Sequence, residues 1–63
     1  MDKWEELSTN ANLLNNAVDD IKKFVRIGAV KVKKRGAAIR ELIPAVEEAL
    51  AKVKEIKELA NSI

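Results

Sequence analysis

The 63-residue chain has no cysteine and no histidine, which removes disulfide bridges and the usual zinc ligand sets as sources of stability. It has one tryptophan, one phenylalanine and no tyrosine, so few large rings are available to fill a core. Two glycines and one proline are too few for a chain built of short strands and tight turns. No apolar run approaches the roughly 20 residues of a membrane span. The start Met1-Asp2-Lys3-Trp4 carries no apolar secretory stretch, and an intracellular, cytoplasmic protein is expected. With no His, no Cys and no glycine-rich phosphate loop, the general base and nucleophile of common mechanisms have no candidates. The adjacent acids Asp19-Asp20 and Glu47-Glu48 diverge on a helix and lack the Glu-x-x-His pattern of di-iron bundles. The expectation is a protein that is not an enzyme, with no metal, no cofactor, no small-molecule substrate and no membrane partner.

What is present is helix material. Ala, Leu, Ile, Val, Glu and Lys dominate, and the chain is 48% apolar. Asp2 is a good N-cap, and Glu5 three residues on completes a pair of capping-box type. Trp4, Leu7, Ala11, Leu14, Val18, Ile21, Val25, Gly28 and Val32 then follow an unbroken three-four spacing, a heptad seam with Trp4 at a and Leu7 at d. Ile39, Leu42, Val46, Ala49, Val53, Ile56, Ala60 and Ile63 repeat it. Between the seams stands Lys33-Lys34-Arg35-Gly36. The glycine is read as the left-handed cap ending the first helix, and the cations before it as partners of that helix's negative end. The expected plan is one domain over 1–63, with helix 1 over about 2–34, a turn at about 35–37 and helix 2 over about 38–62. Two alternatives stay open. The weak helix formers Ser8-Thr9-Asn10-Ala11-Asn12, with Asn15-Asn16, allow a first helix starting near Ser8 or Asn10. Pro44, at an outward f position, allows either a bend or a break in the second.

The seams match each other in an antiparallel hairpin. Val32 with Ile39, Val25 with Val46, Val18 with Val53 and Ala11 with Ala60 have numbers adding to 71, and the d pairs, such as Gly28 with Leu42, add to 70. The apolar face is wider than one such seam covers: Ala17, Phe24, Ala38, Ala45 and Leu59 flank it on one side, and Ala29, Ile43 and Leu50 on the other. A core this small rarely supplies enough net stability alone. The expected fold is therefore all-α, a helical hairpin dimerising into an antiparallel four-helix bundle, with Leu7, Leu14, Val18, Ile21, Val25, Ile39, Leu42, Val46, Val53 and Ile56 in its seam. Charge favours turns at opposite ends. Residues 21–40 hold eight cations and no acid, while Asp2, Glu5, Glu6, Glu55 and Glu58 lie towards the termini.

Two long heptad helices around the Lys33–Gly36 turn resemble the Rop family of dimeric helical-hairpin proteins. They are also similar to the small helical-hairpin proteins of archaeal spindle-shaped viruses. The first resemblance implies RNA binding through a helix-1 face, whose nearest equivalent is Lys3, Asn10, Ala17, Phe24 and Lys31. The second implies a non-enzymatic helper, working in the host cytoplasm, that joins other macromolecules.

Three surface features are candidate sites. Lys31, Lys33, Lys34, Arg35 and Arg40 could contact phosphates, or serve only solubility and the helix dipole. Leu13, Phe24, Ile27 and Val30 stand at or beside positions usually left polar, and suit an unidentified protein partner or are scattered surface apolars. Asn10, Asn12, Asn15 and Asn16 could hydrogen-bond a partner or set register across a bundle. A lipid-binding role is disfavoured by the mixed charge of both helices. The leading expectation is a homodimeric adaptor that bridges partners. The alternative is a regulator that binds RNA or DNA through the basic turn.

Overall fold

The computed structural model describes residues 2–63, and Met1, part of the start read above, lies outside the described residues. The described chain is an all-helical antiparallel hairpin with no strand. Helix α1 runs Lys3–Val30 and helix α2 runs Arg35–Ser62, each 28 residues, joined through a single 3-10 turn at Val32–Lys34. The Asp2 carboxylate accepts from the Glu5 backbone N–H at 2.8 Å, and Glu5 and Glu6 place negative charge at the positive end of α1. From this cap α1 continues through Ser8–Asn12 and past Asn15-Asn16 without a gap. Helix α2 likewise passes through Pro44 unbroken.

The turn differs from the glycine-capped one expected. Helix α1 ends at Val30, not about residue 34, and Gly36 is the second residue of α2. No described residue has a positive φ. Lys31 leaves the helix at φ −112° and ψ 85°, a conformation open to any L-residue, while its N–H still donates to Ile27 O at 2.8 Å. The carbonyl of Gly28, one of those left over in the last turn, accepts from Arg35 Nε at 3.0 Å. An arginine from the next helix thus does the work assigned to a left-handed glycine. Gly28 sits directly against this arginine: a Cβ there would be in ordinary van der Waals contact, 3.6 Å from Arg35 Cγ and 3.9 Å from Ala38 Cβ. Gly36 faces open space, its nearest neighbour being Arg40 Nη2 at 3.9 Å. Gly36→Ala is therefore expected to stabilise the helix by about 0.5–1 kcal/mol. Thermal denaturation checks this: a left-handed cap would give a fall in melting temperature, not a rise.

The contact between the helices is also rotated from the expected seam. On α1 the buried or half-buried stripe is Leu7, Asn10, Leu14, Ala17, Ile21, Phe24 and Gly28; on α2 it is Ala38, Leu42, Ala45, Ala49, Lys52, Ile56 and Leu59. These are the d and g positions. Val18 and Ile27 are half-buried beside the stripe, whereas Val25, Ile39, Val46 and Val53 are exposed. Gly28 faces Ala38, numbers that add to 66, so the pairing at 70 and 71 is replaced by one in which d residues oppose g residues. Two physical causes act together. The turn comes earlier in the chain than expected, which pulls the register back, and Gly28, Ala17, Ala38, Ala45 and Ala49 let the helix axes approach more closely than rows of β-branched residues would. Lys52 enters the stripe by laying its aliphatic stem along it. Its ammonium is held outside between Glu48 at 3.8 Å and Glu55 at 3.6 Å.

The hairpin is a rod of 46 × 14 × 13 Å, with a radius of gyration of 14.4 Å against about 11 Å for a compact chain of this length. It exposes 4877 Å², whereas a compact monomer of this mass exposes about 4,000 Å². Among the described residues only Ala17 and Ala38 are buried apolar residues.

Candidate functional site

Because the helices meet through d and g, their remaining positions sort onto two opposite faces. Reversing a helix reverses the sense in which its positions turn about the axis. In an antiparallel pair, the a and e positions of both helices therefore fall on one side and the c and f positions on the other. The grooves along the hairpin follow this division. One of 290 Å³ is lined by Val25, Ala29, Ile39 and Leu42; another of 440 Å³ is lined by Leu13, Asp20, Glu41, Pro44 and Glu48.

The first face is apolar. Val25 is 57% exposed, Ile39 49%, Val53 40% and Leu50 64%, with Val46 and Ile43 between them. Its a and e positions over residues 8–57 include only two charges, Lys22 and Lys57. Four residues expected in the seam, Val25, Ile39, Val46 and Val53, thus share one open surface. Leu7, Leu14, Val18, Ile21, Leu42 and Ile56 are half-buried.

The second face is acidic. It carries Glu6 and Asp20 from α1 and Glu41, Glu48, Glu55 and Glu58 from α2. Leu13 and Phe24, two of the residues singled out as a partner patch, line its 440 Å³ groove together, beside Pro44 and Ala45. The Lys23 ammonium lies 5.5 Å from the centre of the Phe24 ring. Ile27 is half-buried and Val30 is exposed further towards the turn; neither lines this groove. Towards the termini a second groove, of 400 Å³, is lined by Glu6, Asn10, Glu55, Glu58, Leu59 and Ser62. Asn10 is the one buried polar residue described, while Asn12, Asn15 and Asn16 are exposed. Of the four asparagines offered for register across a bundle, only Asn10 enters the helix contact, and the acidic column Glu41-Glu48-Glu55 is a further feature absent from the sequence analysis. The seven-residue spacing of those glutamates was the available signal.

The basic turn is split. Lys31, Lys33 and Lys34 are exposed around the 3-10 turn, Arg40 is exposed on α2, and Arg35 is drawn back onto the Gly28 carbonyl. Helix α2 begins with no acidic residue in its first turn and no side-chain cap.

Among the described residues no group of three or more acidic side chains is placed to hold a metal ion, and no helix is long and apolar enough to cross a membrane. Comparison with family models, with curated proteins and with solved structures yields no match.

Proposed function

We propose that this chain is a non-enzymatic interaction module that works as a homodimer, two hairpins joining through their apolar faces into an antiparallel four-helix bundle. The observation that carries this reading is the one-sided exposure of Val25, Ile39, Val46, Leu50 and Val53 on a hairpin with almost no buried core. The magnitude agrees. The surface in excess of a compact monomer is on the order of 800 Å², about what one partner contributes to a standard interface. With the turns at opposite ends, each cluster of Lys31, Lys33 and Lys34 lies beside the partner's acidic termini, and like charges are kept apart. The two-fold bundle then presents its second face twice, on opposite sides, so one dimer can bridge two copies of a cytoplasmic partner. The Rop-like architecture read from the sequence agrees with such an assembly. Sedimentation equilibrium is expected to give twice the chain mass; a folded monomer at every concentration would overturn the proposal.

One observation favours a second reading, a regulator that binds RNA or DNA. Lys33, Lys34 and Arg35 stand at the N-terminus of α2, where cations oppose the helix dipole and so do not serve that helix. Steeply salt-dependent binding of structured RNA or duplex DNA, lost in Lys33→Glu/Lys34→Glu, would establish that reading in place of the first.

A further inference from the structure

From the acidic face we infer that each hairpin binds a basic amphipathic helix of a partner protein, its apolar residues over Leu13, Phe24 and Pro44 and a lysine or arginine over Asn10. This deepens the interaction-module reading and rests on it, but the site lies within one hairpin and does not require the dimer for its geometry.

The carboxylates supply the charge. Glu41, Glu48, Glu55 and Glu58 recur along one side of α2 over about 26 Å of helix, with Glu6 and Asp20 opposite on α1. Among the described residues Lys52 is the cation paired with them, to Glu48 and Glu55, and Lys23 on the same face lies over the Phe24 ring. A row of acids alone would be a solvated surface. Two further observations make it a docking track. The row borders a groove whose lining includes Leu13, Phe24, Pro44 and Ala45, so it offers apolar contact as well as charge.

The second observation is Asn10. Its residue is only 8% exposed, and its carboxamide makes no hydrogen bond to the described protein. Yet no buried side-chain polar atom is left without a partner, so the carboxamide opens onto the groove that Asn10 lines. The rest of the residue is held in the helix contact, so the carboxamide is presented to the groove from a fixed place. Here an outside donor fits: the Asn10 oxygen accepts from an ammonium or guanidinium, and Glu6, Glu55 and Glu58 neutralise it.

The test uses the full chain and a fluorescein-labelled helical peptide of Leu and Lys, about 18 residues long to match the acidic track. Fluorescence anisotropy is expected to show binding of this peptide and none of its Glu-for-Lys counterpart. Binding should weaken at least about tenfold in Glu6→Gln/Glu58→Gln and again in Asn10→Leu, the loss of a charge-assisted contact in each case. Circular dichroism confirms that each variant is folded, and the exposed glutamine pair keeps the test decisive if Asn10→Leu alters the helix contact. No binding, equal binding to all variants, or binding that splits the dimer would overturn the inference, the last because the peptide would then occupy the apolar face. The mass of the free protein, measured on the same samples, reports separately on the dimer.

Discussion

Val25→Glu/Val46→Glu is expected to convert the protein from the proposed dimer to a largely unfolded monomer. In an isolated hairpin both residues are exposed, and surface substitutions of this kind change stability by no more than about 0.5 kcal/mol. In the proposed dimer the same residues sit at the centre of an apolar interface, and the two-fold axis duplicates every change, so four carboxylates would be forced together. Desolvating even one unpaired carboxylate costs several kcal/mol. The interface cannot absorb that several times over, and a hairpin in which only two of the described apolar residues are buried has little stability of its own to fall back on. Sedimentation at two concentrations separates the outcomes. Loss of the dimer mass together with helical circular dichroism is the expected result, and it follows only if these residues are covered. A variant as folded and as heavy as the parent would place the interface elsewhere. The melting temperature of the parent should also rise with concentration, as assembly requires by mass action.

The helices were legible because three-four apolar spacing is a strong signal over eight turns, and because Asp2 sits three residues before Glu5. The rotation of their contact was not. Each helix carries apolar residues at a, d and g, and spacing alone does not say which two columns face the neighbouring helix and which one is left for a second molecule. The register depends on the turn, and one residue of the turn points to the wrong cap. Gly36 suggested a left-handed cap, but Arg35 reaches back to the Gly28 carbonyl and closes the helix without one. That contact spans seven residues and leaves no local pattern in the sequence. In the sequence Gly28 is only a d position without a side chain, whereas in the fold it lies directly against Arg35 and Ala38. Small residues at 17, 38, 45 and 49 were the available sign that the helices approach through g. The candidate sites fared according to how local they are. The basic turn is visible as a run of cations, but Arg35 belongs to the helix cap. Leu13 and Phe24 are separated by three turns and are brought into one groove only by Pro44 and Ala45 of the other helix. Asn10 and the glutamates of α2 share a face for the same reason, and only the d–g packing sets them on one side.

Pro44→Ala is expected to raise the stability of each chain by about 2 kcal/mol. Proline inside a helix removes one hydrogen bond, here the one to the Arg40 carbonyl, and its ring crowds that same oxygen, for a penalty of about 3 kcal/mol relative to alanine. Part of this is offset because proline also restricts the unfolded chain, by up to about 1 kcal/mol. For a domain of this size the net gain corresponds to a rise in melting temperature of about 10 °C. An unchanged melting temperature would mean that the surrounding helix has already compensated for the missing bond. Pro44 is exposed and stands outside the contact between α1 and α2, so the hairpin's own packing does not require it. It does line the acidic groove beside Leu13 and Ala45. The same variant therefore separates two origins for a costly residue. If Pro44→Ala is more stable and still binds the Leu/Lys peptide as the parent does, the proline contributes nothing to that groove. The expected result is a more stable protein that binds the peptide less tightly, because alanine removes part of the apolar lining while leaving every carboxylate in place.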